Sequence, residues 1–209
     1  RPIERSQTAN AWLVVGHGEF EQENFAAAEQ AYVKLLGFLP KKDNRRKDIE
    51  ENLAASIYKQ GENELAAGNT RSAVDQFLRV SKVAPGAAIA TNAEFDAATH
   101  MLNLKAWPEA IAVLTTFRAR HPKNELTKQI PAKLVLAYQE NGQWAEAASE
   151  LDVLAKNNTD PESARTATYL SAELYQKAGN KQKAVQLYSR YVTQYPQPYD
   201  QQLEAVFQL

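Results

Sequence analysis

Residues 69–80 read NTRSAVDQFLRV, and the same pattern returns three times, as AWPEAIAVLTTF at 106–117, QWAEAASELDVL at 143–154 and NKQKAVQLYSRY at 180–191. The shared alanine of these segments recurs every 37 residues, at Ala73, Ala110, Ala147 and Ala184. A fifth alanine, Ala28, fits the pattern 45 residues before Ala73. Self-similarity at a fixed period is the signature of a repeat protein.

Each repeat reads as two helices joined by a tight turn. Bulky residues stand four and seven positions after every alanine, which places them on one helical face. They are Tyr32, Phe77, Leu114, Leu151 and Tyr188, then Leu35, Val80, Phe117, Leu154 and Tyr191. Proline ends the second helix at Pro40, Pro85, Pro122 and Pro196, with Pro161 in the fourth repeat. Gly68, Gly142 and Gly179 supply the left-handed turn before three of the second helices.

These residues resemble the tetratricopeptide repeat, whose signature runs from Trp and Leu-Gly through Tyr, Ala and Phe to Pro. The first repeat matches it at Trp12, Val15, Gly16, Ala28, Tyr32, Leu35 and Pro40. The period of 37 is longer than the usual one of roughly 34 residues, and Val135 stands where the first helix normally has a small residue. The resemblance implies an all-α fold, a right-handed superhelix of about five hairpins plus a C-terminal helix.

The repeats divide the chain into hairpins. Residues 1–9 are predicted to be a linker or a frayed start, and 199–209 the first helix of a sixth repeat or a capping helix. The five repeats between them are predicted at 10–40, 53–85, 90–122, 127–161 and 164–196. The charged stretch Lys41–Asp48 is predicted to be a solvated loop, with a docking patch for an acidic partner as the alternative. A start at Arg1 and an end inside an apolar pattern suggest a fragment of a longer chain.

The composition and the missing motifs argue against several classes of function. Lys and Arg number 24 against 25 Asp and Glu, so no strong field favours nucleic acid. The chain has no cysteine, and its three histidines never show the helical metal-ligand spacing. No catalytic, phosphate-binding or dinucleotide motif is present. We therefore predict no enzyme, no cofactor and no metal site, and no membrane insertion of this segment.

In the resembled family the first helix of each hairpin lines a concave groove that binds peptides. The groove positions that carry over as partner-binding residues are His17, Tyr58, Glu62, Phe95, Thr99, Gln139, Tyr169, Glu173 and Lys177. Packing between helices is the competing role for such residues; it is favoured for Leu13, Phe20 and Leu136, and binding for Tyr58, Phe95 and Tyr169. The cationic clamp that grips chaperone C-termini is not matched.

The predicted function is a protein–protein interaction scaffold that binds a partner segment through the groove. The long period and second helices running into Tyr-Pro or His-Pro resemble bacterial envelope proteins, namely the outer-membrane assembly lipoprotein and the Tol–Pal coordinator. That resemblance implies a periplasmic or envelope location, with the cytoplasm as the alternative. Two other functions remain open: a spacer that self-associates through residues 199–209, and an accessory to polysaccharide or outer-membrane assembly machinery.

Overall fold

The computed structural model of the chain describes residues 2–195, 204–206 and 208. Residues 2–195 form ten α-helices and one short 3-10 helix, and no strand occurs among them. The helices are α1 (Pro2–Glu21), α2 (Phe25–Phe38), α3 (Arg46–Ala66), α4 (Thr70–Val83), α5 (Ile89–Asn103), α6 (Trp107–Arg120), α7 (Ile130–Glu140), α8 (Trp144–Asn157), α9 (Pro161–Lys177) and α10 (Lys181–Gln194); the 3-10 helix Glu125–Gln129 precedes α7. The predicted all-α fold is confirmed.

The helices belong to two compact units, residues 1–105 and 106–209. In unit 1, α1 packs on α2, α2 on α3, α3 on α4 and α4 on α5. In unit 2, α6 packs on α7, α7 on α8, α8 on α9 and α9 on α10. Helix therefore packs on the next helix throughout each unit, as stacked hairpins require.

The five repeat alanines are buried, as the pattern predicts. Small residues on the first helix allow the two helices of a hairpin to approach each other closely. A Cβ built on Gly16 would lie 2.7 Å from the Tyr32 ring, and one on Gly61 would lie 2.6 Å from the Phe77 ring. In the α7–α8 hairpin the bulkier Val135 takes this position, and Leu151 and Leu154 are only half-buried there. A larger residue at the point of closest approach goes with looser packing of the hairpin.

The turn inside each hairpin contains one residue with left-handed backbone. Three are the predicted glycines, with φ of +82° at Gly68, +73° at Gly142 and +76° at Gly179. The other two are Glu23 at φ 61° and Lys105 at φ 56°, where the sequence has no glycine. The amide that follows the left-handed residue donates back to the helix, as in Gln143 N to Tyr138 O at 2.8 Å. This closure is the Schellman arrangement of a helix C-terminus.

The N-terminal residues are helical, which corrects the predicted linker at residues 1–9. Helix α1 begins at Pro2, and Ala9 is buried. The Arg5 guanidinium donates to the carbonyl oxygens of Gly37 and Phe38, both at 3.2 Å. Cations are favoured at a helix C-terminus, so Arg5 ties the first turns of α1 to the end of α2.

Charged side chains between α2 and α3 form hydrogen bonds with nearby groups of the same chain. The Asp43 carboxylate accepts from the Arg45 guanidinium at 2.9 and 3.0 Å and from the Arg45 amide at 2.9 Å. Arg46 starts α3, and its guanidinium donates to Leu36 O at 2.9 Å. These two arginines are occupied within the chain, which weakens the docking-patch alternative. Asp48 lies within α3, so the loop is shorter than predicted.

Most of the predicted sixth unit, residues 199–209, lies outside the described residues. Residues 204–206 are helical, and Ala205 is fully buried in the cluster that contains Leu187, Tyr188 and Tyr191. Gln176 in α9 also donates to Gln208 at 2.8 Å. The described part of this segment therefore packs on the last hairpin.

Ion pairs join second helices of successive hairpins. In unit 1, Arg79 of α4 pairs with Glu29 of α2. In unit 2, Arg118 of α6 donates to both carboxylate oxygens of Glu150 in α8 at 2.8 Å, and Arg190 of α10 reaches Asp152 of α8 at 2.6 Å. Charged side chains thus connect second helices within each unit.

Candidate partner-binding surface

The candidate site is the partly exposed side of each first helix, next to the positions that pack inside the hairpin. Helix α3 buries Ala54, Ile57 and Gly61, which recur at helical spacing. Tyr58, Lys59 and Glu62 lie beside this buried strip, and the Tyr58 ring still contacts Phe77 of α4 at 4.9 Å between centroids. We call the corresponding sides of α1, α3 and α5 the first-helix face of unit 1, and those of α7 and α9 the first-helix face of unit 2.

His17 and Tyr58 lie on the face of unit 1. His17 is exposed, with Nε2 3.5 Å from Asn52 Nδ2 and its ring edge-on to Tyr32 at 5.9 Å between centroids. Tyr58 is half-buried, and its hydroxyl donates to Asp96 at 2.7 Å. Burial, followed by the bond to Asp96, raises the pKa of the Tyr58 hydroxyl. Tyr58 is therefore a fixed, neutral side chain that joins α3 to α5.

Glu62 and Thr99 are half-buried on the same face. Lys59 donates to Glu62 at 2.6 Å, and the Thr99 hydroxyl donates to the backbone oxygen of Phe95 at 3.1 Å. Phe95 itself is only 8% exposed. Burial of Phe95 corrects the expectation that it is an exposed binding residue, because its ring packs inside the protein.

In unit 2, Tyr169 is half-buried, with its ring edge-on to Tyr188 at 5.7 Å and to Tyr191 at 5.2 Å. Burial, more than the neighbouring acids, raises the pKa of its hydroxyl. Glu173 is exposed, and partial desolvation with the nearby Glu204 raises the pKa of its carboxyl. Lys177 places Nζ 3.6 Å from the centre of the Trp144 ring, a cation–π contact. Gln139 is half-buried on α7.

Two leucines outside the predicted binding residues are exposed on the face of unit 2. Leu136, expected to pack between helices, is 46% exposed, and Leu170 is 43% exposed. Leu13 and Phe20, the other two expected packing residues, are half-buried, and Phe20 contacts Phe25 edge-on at 5.1 Å. A signal for Leu170 was present, because it stands three residues before Glu173 on the same face.

Open surface clefts occur elsewhere on the two units. One of about 550 Å³ in unit 1 is lined by Glu19, Glu64, Gln60 and neighbours near the hairpin turns. Another of about 440 Å³ in unit 2 is lined by residues such as Pro131, Val153 and Leu154. Across residues 2–195, 204–206 and 208, no three acidic or histidine side chains are placed to hold a metal ion. None of the helices described has the length and apolarity needed to cross a bilayer.

Part of the chain matches a known repeat family. Residues 133–197 match the family model of the tetratricopeptide repeat. Among solved structures, the chain is similar to MamA from Desulfovibrio magneticus RS-1 at 17% identity, with 91% of this chain and 97% of that chain covered and a TM-score of 0.46. It is also similar to a putative kinesin light chain with TPR-like repeats from Podosopora anserina, at 19% identity, 91% and 94% coverage and a TM-score of 0.44.

None of the curated proteins compared with the sequence matches it. The solved structures have TM-scores below 0.5, so the assignment depends on the family model and on the hairpins described above. The tetratricopeptide pattern is therefore matched in residues 133–197, and the 37-residue spacing and the paired helices recur in the preceding part of the chain.

Proposed function

We propose that the chain is a protein-binding scaffold whose first-helix faces hold a segment of a partner protein. The tetratricopeptide fold is one that serves protein–protein interaction, and no enzyme family is indicated. The proposed binding residues are His17, Tyr58, Glu62 and Thr99 in unit 1, and Gln139, Tyr169, Glu173 and Lys177 in unit 2. Phe95, which is buried, is left out.

One observation carries the proposal: these side chains stand on helices whose opposite sides are buried, and several are already held in place. Tyr58 is bonded to Asp96, and Lys177 lies over Trp144. A surface that is ordered before binding loses less side-chain entropy when a partner arrives. Aromatic side chains with a polar end, such as Tyr58 and Tyr169, are also the type enriched in protein interfaces.

We further propose that the partner is found in the bacterial cell envelope. The long repeat period and the Tyr-Pro and His-Pro ends of the second helices support this location by resemblance. It is tested together with the binding surface, by using envelope and cytosolic extracts separately.

Site-specific photocrosslinking tests the proposal. A photoreactive amino acid replaces His17 or Glu173, both exposed on the first-helix faces. It replaces Val33 or Val153 as the control, because these second-helix side chains are 50% and 43% exposed. Each variant is irradiated in each extract from the source organism, and the products are identified by mass spectrometry.

We expect the first-helix positions to trap the same protein from the envelope extract, and the two valine positions to trap it weakly or not at all. Trapping only through Val33 and Val153 would contradict the proposed surface. Trapping only a second copy of the chain would favour the self-association alternative, and a partner found solely in the cytosolic extract would contradict the proposed location.

A further inference from the structure

The two exposed leucines of unit 2 stand on helices that otherwise bury their apolar residues. On α7, Leu134 and Ala137 are fully buried next to the exposed Leu136. On α9, Ser171 and Leu174 are buried next to the exposed Leu170. Apolar residues that are exposed singly are normal, and they indicate a binding surface only where they lie together on one side.

Both leucines face the same side of unit 2. Helices α7 and α9 are first helices of successive repeats, each packed on the second helix of its own hairpin, α8 and α10. Their buried positions are equivalent, because Leu134 and Ser171 are 37 residues apart, as are Ala137 and Leu174. The exposed sides of the two helices are therefore equivalent too. Leu136 has the register of Glu173, and Lys133 has the register of Leu170, so the two leucines stand one helical turn apart in register on this exposed side.

The equivalent positions of α3 and α5 hold polar residues that already have partners. On α3 they are Lys59 and Glu62, which form an ion pair at 2.6 Å. On α5 the first of them is Asp96, which accepts the Tyr58 hydroxyl at 2.7 Å. The first helices of unit 1 therefore present paired polar side chains at these positions, whereas α7 and α9 present exposed leucines.

Charges around the leucine pair are mainly negative. Glu140 lies one turn beyond Leu136, Glu173 lies one turn beyond Leu170, and Glu204 approaches Glu173; all three are exposed. Lys133 is the cation on α7, and Lys177 lies over the Trp144 ring at 3.6 Å. Like charges at Glu173 and Glu204 repel, so a cation placed beside them by a partner is favoured.

We propose that the surface formed by Leu136, Leu170 and Glu173 binds an amphipathic segment of a partner protein that presents apolar residues three or four positions apart beside a lysine or arginine. This inference depends on the proposed function, because it names the partner chemistry of one of the first-helix faces. A helix laid in a groove offers such spacing on one side.

A pair of designed peptides tests it with the whole chain. The first is a labelled amphipathic peptide with leucines at helical spacing flanked by lysines, and the second has glutamate in place of every lysine. Affinity is measured by fluorescence anisotropy at low ionic strength. We expect the lysine peptide to bind about tenfold more tightly or better, since opposite charges across an interface favour association.

Substitutions in the chain show which residues bind the peptide. The double variant Leu136→Ser with Leu170→Ser is expected to bind the lysine peptide about tenfold more weakly or worse. The reason is that loss of apolar anchors removes most of an interface's affinity. Glu173→Gln is expected to reduce the preference for the lysine peptide over the glutamate peptide. Val153→Ser, which changes an equally exposed residue on a second helix, is expected to alter affinity by less than about twofold. Circular dichroism confirms that each variant is folded.

Three results would overturn the inference: unchanged binding in the double leucine variant, an equal loss in Val153→Ser, or a preference for the glutamate peptide. The proposed function is judged separately by the crosslinks from His17 in unit 1. Specific partner capture there, together with no effect of the leucine variants, would leave the scaffold function standing and remove the leucine surface.

Discussion

Gly61 shows how a single missing side chain sets the distance between two helices. An alanine Cβ there would lie 2.6 Å from the fully buried ring of Phe77, which has little room to move. We expect Gly61→Ala to lower the free energy of unfolding by about 1–3 kcal/mol, the usual cost of overpacking a core. Chemical denaturation followed by circular dichroism measures the change.

Gly18→Ala is the matched control. Gly18 also lies inside a first helix, but nothing is within 4 Å of a Cβ built there. Alanine should therefore raise the free energy of unfolding by about 0.5–1 kcal/mol through its better helix propensity. If both variants changed stability in the same direction, contact with Phe77 would not be the reason glycine stands at position 61.

Asp43 is expected to make stability depend on pH. Hydrogen bonds from the Arg45 side chain, then from its amide, lower the pKa of the Asp43 carboxyl from 3.8 to about 2. A lowered pKa means that the carboxylate stabilises the fold above pH 3.8 and that this stabilisation is lost as the pH falls toward 2. Asp43→Asn should therefore lower the melting temperature at pH 7, and the difference from the parent should shrink below pH 3.8.

Arg45→Gln tests whether Asp43 stabilises the fold through its pairing with Arg45. If the two residues act as one pair, the double variant should be about as stable as either single variant at pH 7. Additive losses, or a difference between Asp43→Asn and the parent that stays constant with pH, would show that the pair does not carry the effect.

At the scale of the element, the turns between paired helices need a left-handed residue whatever side chain the sequence supplies. Gly142 adopts φ +73° without strain, whereas Lys105 adopts φ 56° with a Cβ. We expect Gly142→Ala to cost about 1–2 kcal/mol in the free energy of unfolding. Lys105→Gly should gain less, up to about 1 kcal/mol, because added freedom in the unfolded chain offsets relief of strain.

Thermal and denaturant unfolding of both variants provides the measurement. A loss of stability in Lys105→Gly as large as that in Gly142→Ala would contradict the idea that left-handed strain is stored at Lys105. Helix ends such as these follow from short sequence patterns. The start of α1 does not, because it depends on Arg5 reaching carbonyl oxygens more than thirty residues away.

At the scale of the whole molecule, strong contacts within each unit join helices that are neighbours in sequence, and α3 and α5 form one further pair in unit 1. Perturbations in such a protein should stay local. We expect hydrogen exchange in Gly61→Ala to rise in α3 and α4 and in the adjoining α2 and α5, with parent-like rates in α9 and α10. A uniform rise across all helices would mean that the chain opens as one cooperative body.

The sequence by itself determined the hairpins: the repeated alanine, the helical spacing of bulky residues and the turn glycines depend on local backbone preferences and on one period. Tertiary structure decided which groove positions are available. Phe95 and Tyr169 share one register, yet Phe95 is buried and Tyr169 half-buried, while Leu136 is exposed against expectation. The sequence pattern predicts on which face of a helix a residue lies. Its exposure depends on how closely the neighbouring helices approach that face, and this distance is set by side chains elsewhere in the chain.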